Sequence, residues 1–129
     1  MVGNTTFPLD ASIGQQVVEV MLGYGEDMAF LTRGSPGFDQ FIVHASVILG
    51  RRCFTYPGKG GTDNLTRDAE LVKDADEVLA FFDSETMHRE DTGTAMIVEK
   101  ALSAHKPTRA YTCADGQLVW AGETDDGPA

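Results

Sequence analysis

Cysteines, cations and long apolar runs are all scarce in this sequence, and each scarcity excludes a class of protein. Cys53 and Cys113 are its only cysteines, with no CxxC or Cys/His spacing around either, so a disulfide scaffold or a zinc module has nothing to be built from. Both thiols fall in segments that read as buried strands, and a reduced state in the cytoplasm is expected. His44, His88 and His105 are scattered, without a second ligand type at metal spacing, so neither a metal nor a cofactor is expected. Ten basic side chains face twenty acidic ones, a formal net charge of −10. Such a field repels nucleic-acid phosphates and anionic membrane surfaces. The cations that exist, Arg51, Arg52, Lys59, Arg67 and those between Lys100 and Arg109, suffice for one anion pocket and not for a DNA track. No stretch approaches the ~18 apolar residues of a membrane span, and no basic region leads an apolar run at the start. A soluble, unexported, cytoplasmic protein is expected, with no membrane partner.

What is present is an ordinary globular composition, 42% hydrophobic and 23% charged over 129 residues, enough for a single domain with its own core. Asp10 or Ser12 caps a helix over Ser12–Leu22, with Ile13, Val17, Val20 and Met21 at helical spacing and Gly23 and Gly25 as its stop. Met28–Thr32 is a short continuous apolar run, the pattern of a strand covered on both faces in a parallel sheet. It leads into Arg33-Gly34-Ser35-Pro36-Gly37-Phe38-Asp39 and then a helix carrying Phe38, Phe41, Ile42, Ala45 and Leu49, stopped by Gly50. Arg52–Tyr56 reads as a strand and Pro57–Asp63 as a loop. Asn64 or Thr66 caps a third helix, and Glu77–Phe82 is the most strand-like segment. Asp91-Thr92-Gly93-Thr94 opens a last helix, closed by His105-Lys106-Pro107. Arg109–Cys113 and Gln117–Ala121 form a hairpin about Asp115-Gly116, followed by an acidic tail over 122–129 expected to be frayed. Strands alternating with helices predict an α/β, three-layer Rossmann-like fold with a mainly parallel sheet and a C-terminal hairpin.

In such sheets ligands bind beyond the carboxyl ends of the strands, where glycines admit a close approach and helix N-termini offer N–H groups to anions. Two turns have that form. In the first, Gly34 and Gly37 permit positive φ, Ser35 offers a hydroxyl and Arg33 a counter-charge for phosphate; a plain tight turn is the competing reading. Asp39 either holds a ribose hydroxyl, orders the loop, or complements the helix dipole. In the second, Thr92, Gly93 and Thr94 suit phosphate contacts, while Asp91 also reads as a simple N-cap. No P-loop is present, because Gly58-Lys59-Gly60-Gly61-Thr62 lacks the spacing. Lys59 reaches a phosphate only if that loop closes. The polar stretch Ser84–Asp91 reads as a lid or an exposed connection. Phe81, Phe82 and Trp120 read as core or interface residues.

The order of these motifs resembles the SLOG superfamily of Rossmann-like domains, in particular its short stand-alone YspA-related branch. The resemblance rests on Gly34 to Asp39, Tyr56-Pro57, Asn64 to Val72, Ala75 to Phe82, and Gly93-Thr94, and covers roughly Phe30 to Thr112. It implies a site for a nucleotide or nucleotide-derived small molecule formed by the two turns, with Arg67 and Asp83 as neighbours. Arg67 reads equally as a solvent-facing partner of Asp63 or Glu70. Related domains begin with a full strand and a Gly-Ser/Asn-Arg loop; here only Met1-Val2 precedes Gly3, and Asn4 and Thr5 fall where that loop would stand. The catalytic relatives carry Pro-Gly-Gly-x-Gly-Thr-x-x-Glu, and Ile97 occupies the glutamate position. An isoleucine cannot handle a proton or steady an oxocarbenium ion. Glu99 lies about 200° around the helix from it.

The expected function is therefore binding of a nucleotide-derived ligand, as a sensor or sponge. The alternatives are a nucleotide-cleaving enzyme with Asp39, Asp83 or Glu99 as acid–base candidates, and a ligand-free assembly module that forms a homodimer or higher oligomer through an edge such as the C-terminal hairpin.

Overall fold

The computed structural model describes residues 1–4, 6–58, 62–83, 93–114 and 117–124, with the backbone alone at 62, 63, 114 and 119–124. The elements run β1 (Val2–Gly3), α1 (Ala11–Leu22), β2 (Phe30–Thr32), α2 (Phe38–Leu49), β3 (Cys53–Thr55), α3 (Thr62–Asp74), β4 (Val78–Phe81), α4 (Gly93–Ser103), β5 (Thr108–Ala114) and β6 (Gln117–Thr124). One sheet has the order β1-β4-β5-β6 and a second pairs β2 with β3. Every pairing is parallel except β5 with β6, so the chain is α/β with a mostly parallel, Rossmann-like sheet and a C-terminal hairpin. The sheets meet where the Met1 amino group donates to the Leu31 carbonyl at 2.7 Å. Among the described residues no helix is long and apolar enough to cross a membrane.

The continuous apolar run of β4 has a simple cause. Leu79 and Phe81 point into a core shared with Ile13, Val17 and Met21 of α1 and with Phe38 and Ile42 of α2. Val78 and Ala80, with Phe82 just beyond the strand, point into a second core, with Leu71 and Val72 of α3 and Ile97 and Ala101 of α4. Successive side chains of a strand face opposite ways, so a strand packed on both faces carries no polar alternation.

Local signals set most of the boundaries. The Asp10 carboxylate accepts from the Ile13 N–H at 2.8 Å, capping α1. Gly50 takes φ 69° after α2, and His105 takes φ 58° after α4. Four expectations are corrected. Helix α3 begins at Thr62 rather than at Asn64 or Thr66, and the Asn64 amide lies instead against the backbone at Gly58. The edge strand β3 is not buried: Phe54 is 52% exposed and Cys53 half-buried. Strand β2 begins at Phe30 rather than at Met28, which lies ahead of it and is 38% exposed. The tail expected to fray from 122 is strand as far as Thr124, opposite Thr108. The hairpin turn at Asp115-Gly116 and residues 125–129 lie outside the described residues.

Candidate functional site

Strand β1 is only two residues long, yet it places Gly3 between the ends of β2 and β4. Gly3 is opposite Phe81, and a Cβ on it would lie 2.5 Å from the Phe38 ring. Glycine is needed there for close approach rather than for an unusual φ. The packing draws the start of α2 against the end of β1.

At this junction lies a buried ion pair. Asp39, fully buried in the first turn of α2, accepts from Arg33 Nε at 2.8 Å and Arg33 Nη2 at 2.9 Å. The same carboxylate accepts the backbone N–H of Arg33 at 2.9 Å and of Gly3 at 3.1 Å. Arg33 Nη2 also donates to the Gly3 carbonyl at 2.7 Å and to Thr94 Oγ1 at 3.2 Å. Burial alone would raise the Asp39 carboxyl; the Arg33 hydrogen bonds and charge, with the two backbone donors, outweigh it and hold the carboxyl below its ordinary value. Of the readings open for Asp39, ordering the loop is the one this geometry fills, because both oxygens are taken by donors from the chain itself.

Arg33 is thereby fixed across β1, β2, α2 and α4. Its Nη1, which makes none of these bonds, faces the N-terminus of α4, where a Cβ added at Gly93 would come within 3.3 Å of it. Thr94 is buried and tied to Arg33. Gly34 and Gly37 adopt φ 73° and 84°, the conformations that their glycines suggested, and Gly37 caps α2 with no side-chain bond. Ser35 is half-buried, and its carbonyl accepts from the Gln40 N–H at 3.1 Å. Arg33 thus joins the first turn to Gly93 and Thr94 at the start of α4. Thr92, the Ser84–Asp91 stretch and Lys59 lie outside the described residues.

On the other flank, the Asp83 N–H donates to Asn4 Oδ1 at 3.0 Å, and the Thr6 hydroxyl donates to Asp83 Oδ2. Asn4 itself is held by its N–H on the Phe81 carbonyl at 2.9 Å. Gly3 and Thr6 are the members that reading by motif missed. The available signal was the run Gly3-Asn4-Thr5-Thr6, which has the composition of a strand-end loop but no full strand before it. Thr5 lies outside the described residues.

Two candidates stand apart. Arg67 pairs with its neighbour Asp68 at 2.6 Å and lies against Gly58, while the Asp63 side chain lies outside the described residues. Glu99 is exposed on α4, while Ile97 is fully buried in the second core. The position to which the resemblance assigns a glutamate therefore faces packed side chains.

No family model matches the chain, and neither does any curated protein or solved structure.

Proposed function

We infer that this protein binds a nucleotide or nucleotide-derived small anion in the crevice at the carboxyl ends of β1, β2 and β4, as a SLOG-type domain does. The observation that carries the reading is the immobilised Arg33 guanidinium, with Nη1 turned to the glycine start of α4. Because Asp39 neutralises much of the Arg33 charge, attraction for an anion comes from Nη1 together with the positive N-terminal ends of the α2 and α4 helix dipoles. A phosphate there needs no reorganisation of the arginine, whose conformational cost is already met by the fold. Asn4, Thr6 and Asp83 supply polar groups for the sugar or base at the neighbouring strand end, and Gly34, Ser35 and Gly37 form the other wall.

The sheet order favours the same place. Taking the Met1–Leu31 bond as a seam, the strands run β3-β2-β1-β4-β5-β6, the doubly wound order but with an antiparallel final strand, and α1 and α2 lie on one face with α3 and α4 on the other. The direction of winding then reverses between β1 and β4, and ligands in such three-layer sheets bind at that switch point. The acid–base roles considered for Asp39, Asp83 and Glu99 do not enter the reading.

The test is a thermal-shift screen against AMP, ADP, NAD, ADP-ribose and cyclic nucleotides, repeated on Gly93→Val. A ligand at 100 times its Kd is expected to add about 2.7 kcal/mol, a shift of several degrees. The valine needs no strained φ but fills the space beside Arg33 Nη1, so the shift is expected to disappear with the fold intact. Unchanged melting with every compound would rule the reading out in favour of the assembly module, for which oligomer mass is the next measurement.

A further inference from the structure

Charge is absent from one side of this molecule. Residues 40–50 and 53–58 hold no Asp, Glu, Lys or Arg, where the chain's 23% of charged residues would place about four. The first run covers α2 from Gln40 to its Gly50 stop, and its outward positions Gln40, His44, Val47 and Ile48 are exposed. The second is β3 with the residues just after it. Ile48 at 84%, Val47 at 76% and Phe54 at 52% are the most exposed large apolar side chains among the described residues. Depletion of charge together with exposed apolar groups is the composition of an interface core rather than of free surface.

The helix divides this surface into two flanks. Ser46 is hydrogen-bonded to the Cys53 thiol, so that flank faces β3, whereas Phe41 packs toward Gly14 of α1. At about 100° per residue, Val43 and Val47 follow Ser46 outward around the helix on the β3 side, while Ile48 lies within about 20° of Phe41 on the α1 side.

Backbone direction identifies what the β3 edge is shaped for. The Arg52 carbonyl accepts from the Phe30 N–H, and the Tyr56 N–H donates to the Thr32 carbonyl. Alternation then turns the peptide groups of Phe54 toward β2 and those of Cys53 and Thr55 toward the open side. A second copy turned about a twofold axis through Phe54 sets Cys53 opposite Thr55 of that copy, and the two exchange N–H and C=O groups on either side of the axis. Phe54 meets its own copy as a non-hydrogen-bonded pair, the arrangement in which side chains are closest. Pro57 has no N–H and ends the ladder. The charged groups beside the edge fit the same register. Arg52, which donates to the Asp27 carbonyl, lies on the Phe54 face opposite Tyr56 of the copy. The Tyr56 hydroxyl donates to Asp74 Oδ2 at 2.6 Å, with Glu70 close enough to act on it, so each Arg52 arrives at an aromatic ring backed by two carboxylates.

We propose that β3 and the adjoining flank of α2 form a self-complementary interface, through which two copies of this chain pair antiparallel about a twofold axis at Phe54. Three observations favour a second copy over another partner. The register closes on itself, so the open peptide groups of both copies are matched and no edge remains. Chains that each carry a formal charge of −10 repel, and a contact free of charge at its centre is where they approach at least cost. The attraction of Arg52 for Asp74 and Glu70 is reciprocal, which a twofold axis repeats and an unrelated partner does not. On the sheet order given above, this edge is the one farthest from the C-terminal hairpin.

Sedimentation equilibrium of the chain from about 5 to 500 µM is expected to show a monomer–dimer equilibrium with a Kd in the micromolar range, as suits an interface at the small end of specific ones. Phe54→Glu sets two carboxylates face to face on the axis and is expected to raise that Kd roughly tenfold or more. Val47→Glu is expected to weaken pairing as well. Ile48→Glu, at the more exposed position but on the α1 flank, is expected to leave it unchanged. All three side chains are exposed, so each variant is expected to melt near the parent at low concentration. Amide exchange reads the geometry: protection at Cys53 and Thr55 is expected to rise with concentration in the parent and not in Phe54→Glu. A monomer across the whole range, a dimer that survives Phe54→Glu, equal weakening by Ile48→Glu, or exchange at Cys53 and Thr55 that does not follow concentration would each overturn the proposal.

Discussion

Asp39→Ala is expected to destabilise the protein by about 3–5 kcal/mol, because it leaves the Arg33 guanidinium buried without its counter-charge. In melting temperature this is on the order of 10–20 °C for a domain of this size. Arg33→Ala removes the other partner and is expected to cost a similar amount. The diagnostic is the double variant: urea unfolding of Arg33→Met with Asp39→Leu should recover part of the loss, since no charge remains buried, although the Gly3 and Thr94 groups bonded to the pair lose their partners. Additive losses would mean that the two side chains act separately, contrary to the geometry. The pair also sets an acid limit. With its folded-state pKa below the ordinary 3.8, Asp39 binds fewer protons folded than unfolded. Its stabilisation is therefore complete above that ordinary value and is lost as pH falls through the folded one. Acid titration followed by circular dichroism should show the steepest loss below about pH 4, and a flatter acid limb in the double variant.

Phe81→Ala is the second large effect, also about 3–5 kcal/mol. Phe81 is fully buried and stacks on Phe38 with centroids 4.4 Å apart and on Tyr111 at 4.9 Å, while Phe7 meets it edge-on at 5.7 Å. Removing it opens a cavity where β4, β5 and α2 converge. Phe81→Leu keeps most of the volume and is expected to lose under half as much. The consequence reaches the crevice: Phe38, one face of the stack, abuts Gly3, and Gly3 holds both partners of the ion pair. In a thermal-unfolding series the alanine variant should melt far below the leucine variant. Equal losses would indicate that the ring–ring stacking, which both variants remove, outweighs the buried volume that leucine keeps.

Much of the architecture was legible because its signals are local. The Asp10 cap, the Gly50 stop and the apolar run of β4 act through neighbours a turn or a strand away, and each appears where its residues place it. The failures have causes of another kind. Helix α3 starts at Thr62, so Asn64 and Thr66 lie inside it, and the Asn64 amide sits beside Gly58, a placement that no local pattern encodes. Strand β3 has the composition of a covered strand but sits at a sheet edge, which no local pattern encodes. The candidate site divides in the same way. Positive φ at Gly34 and Gly37 and the placing of Gly93 and Thr94 at a helix start were readable from residue type. The partner of Arg33 was not: a motif shows an arginine beside a phosphate-type turn and cannot show that an aspartate six residues on takes its Nε and Nη2.

The amino-acid sequence by itself determined the class of this protein: an acidic α/β chain whose apolar periods switch between strand and helix and whose glycines stand at strand-to-helix turns. Those properties depend on backbone sterics and on hydrophobic spacing within one element. Tertiary structure alone decided which ends meet. It brought Gly3 between Phe81 and Phe38, closed Asp39 on Arg33 across the β2–α2 turn, and turned Arg33 to Thr94 over a separation of 61 residues. Such contacts follow from the winding of the sheet, in which a strand inserts between two others far from it in the chain, and the energy of burying a charge or a ring is settled only when those distant partners are in place.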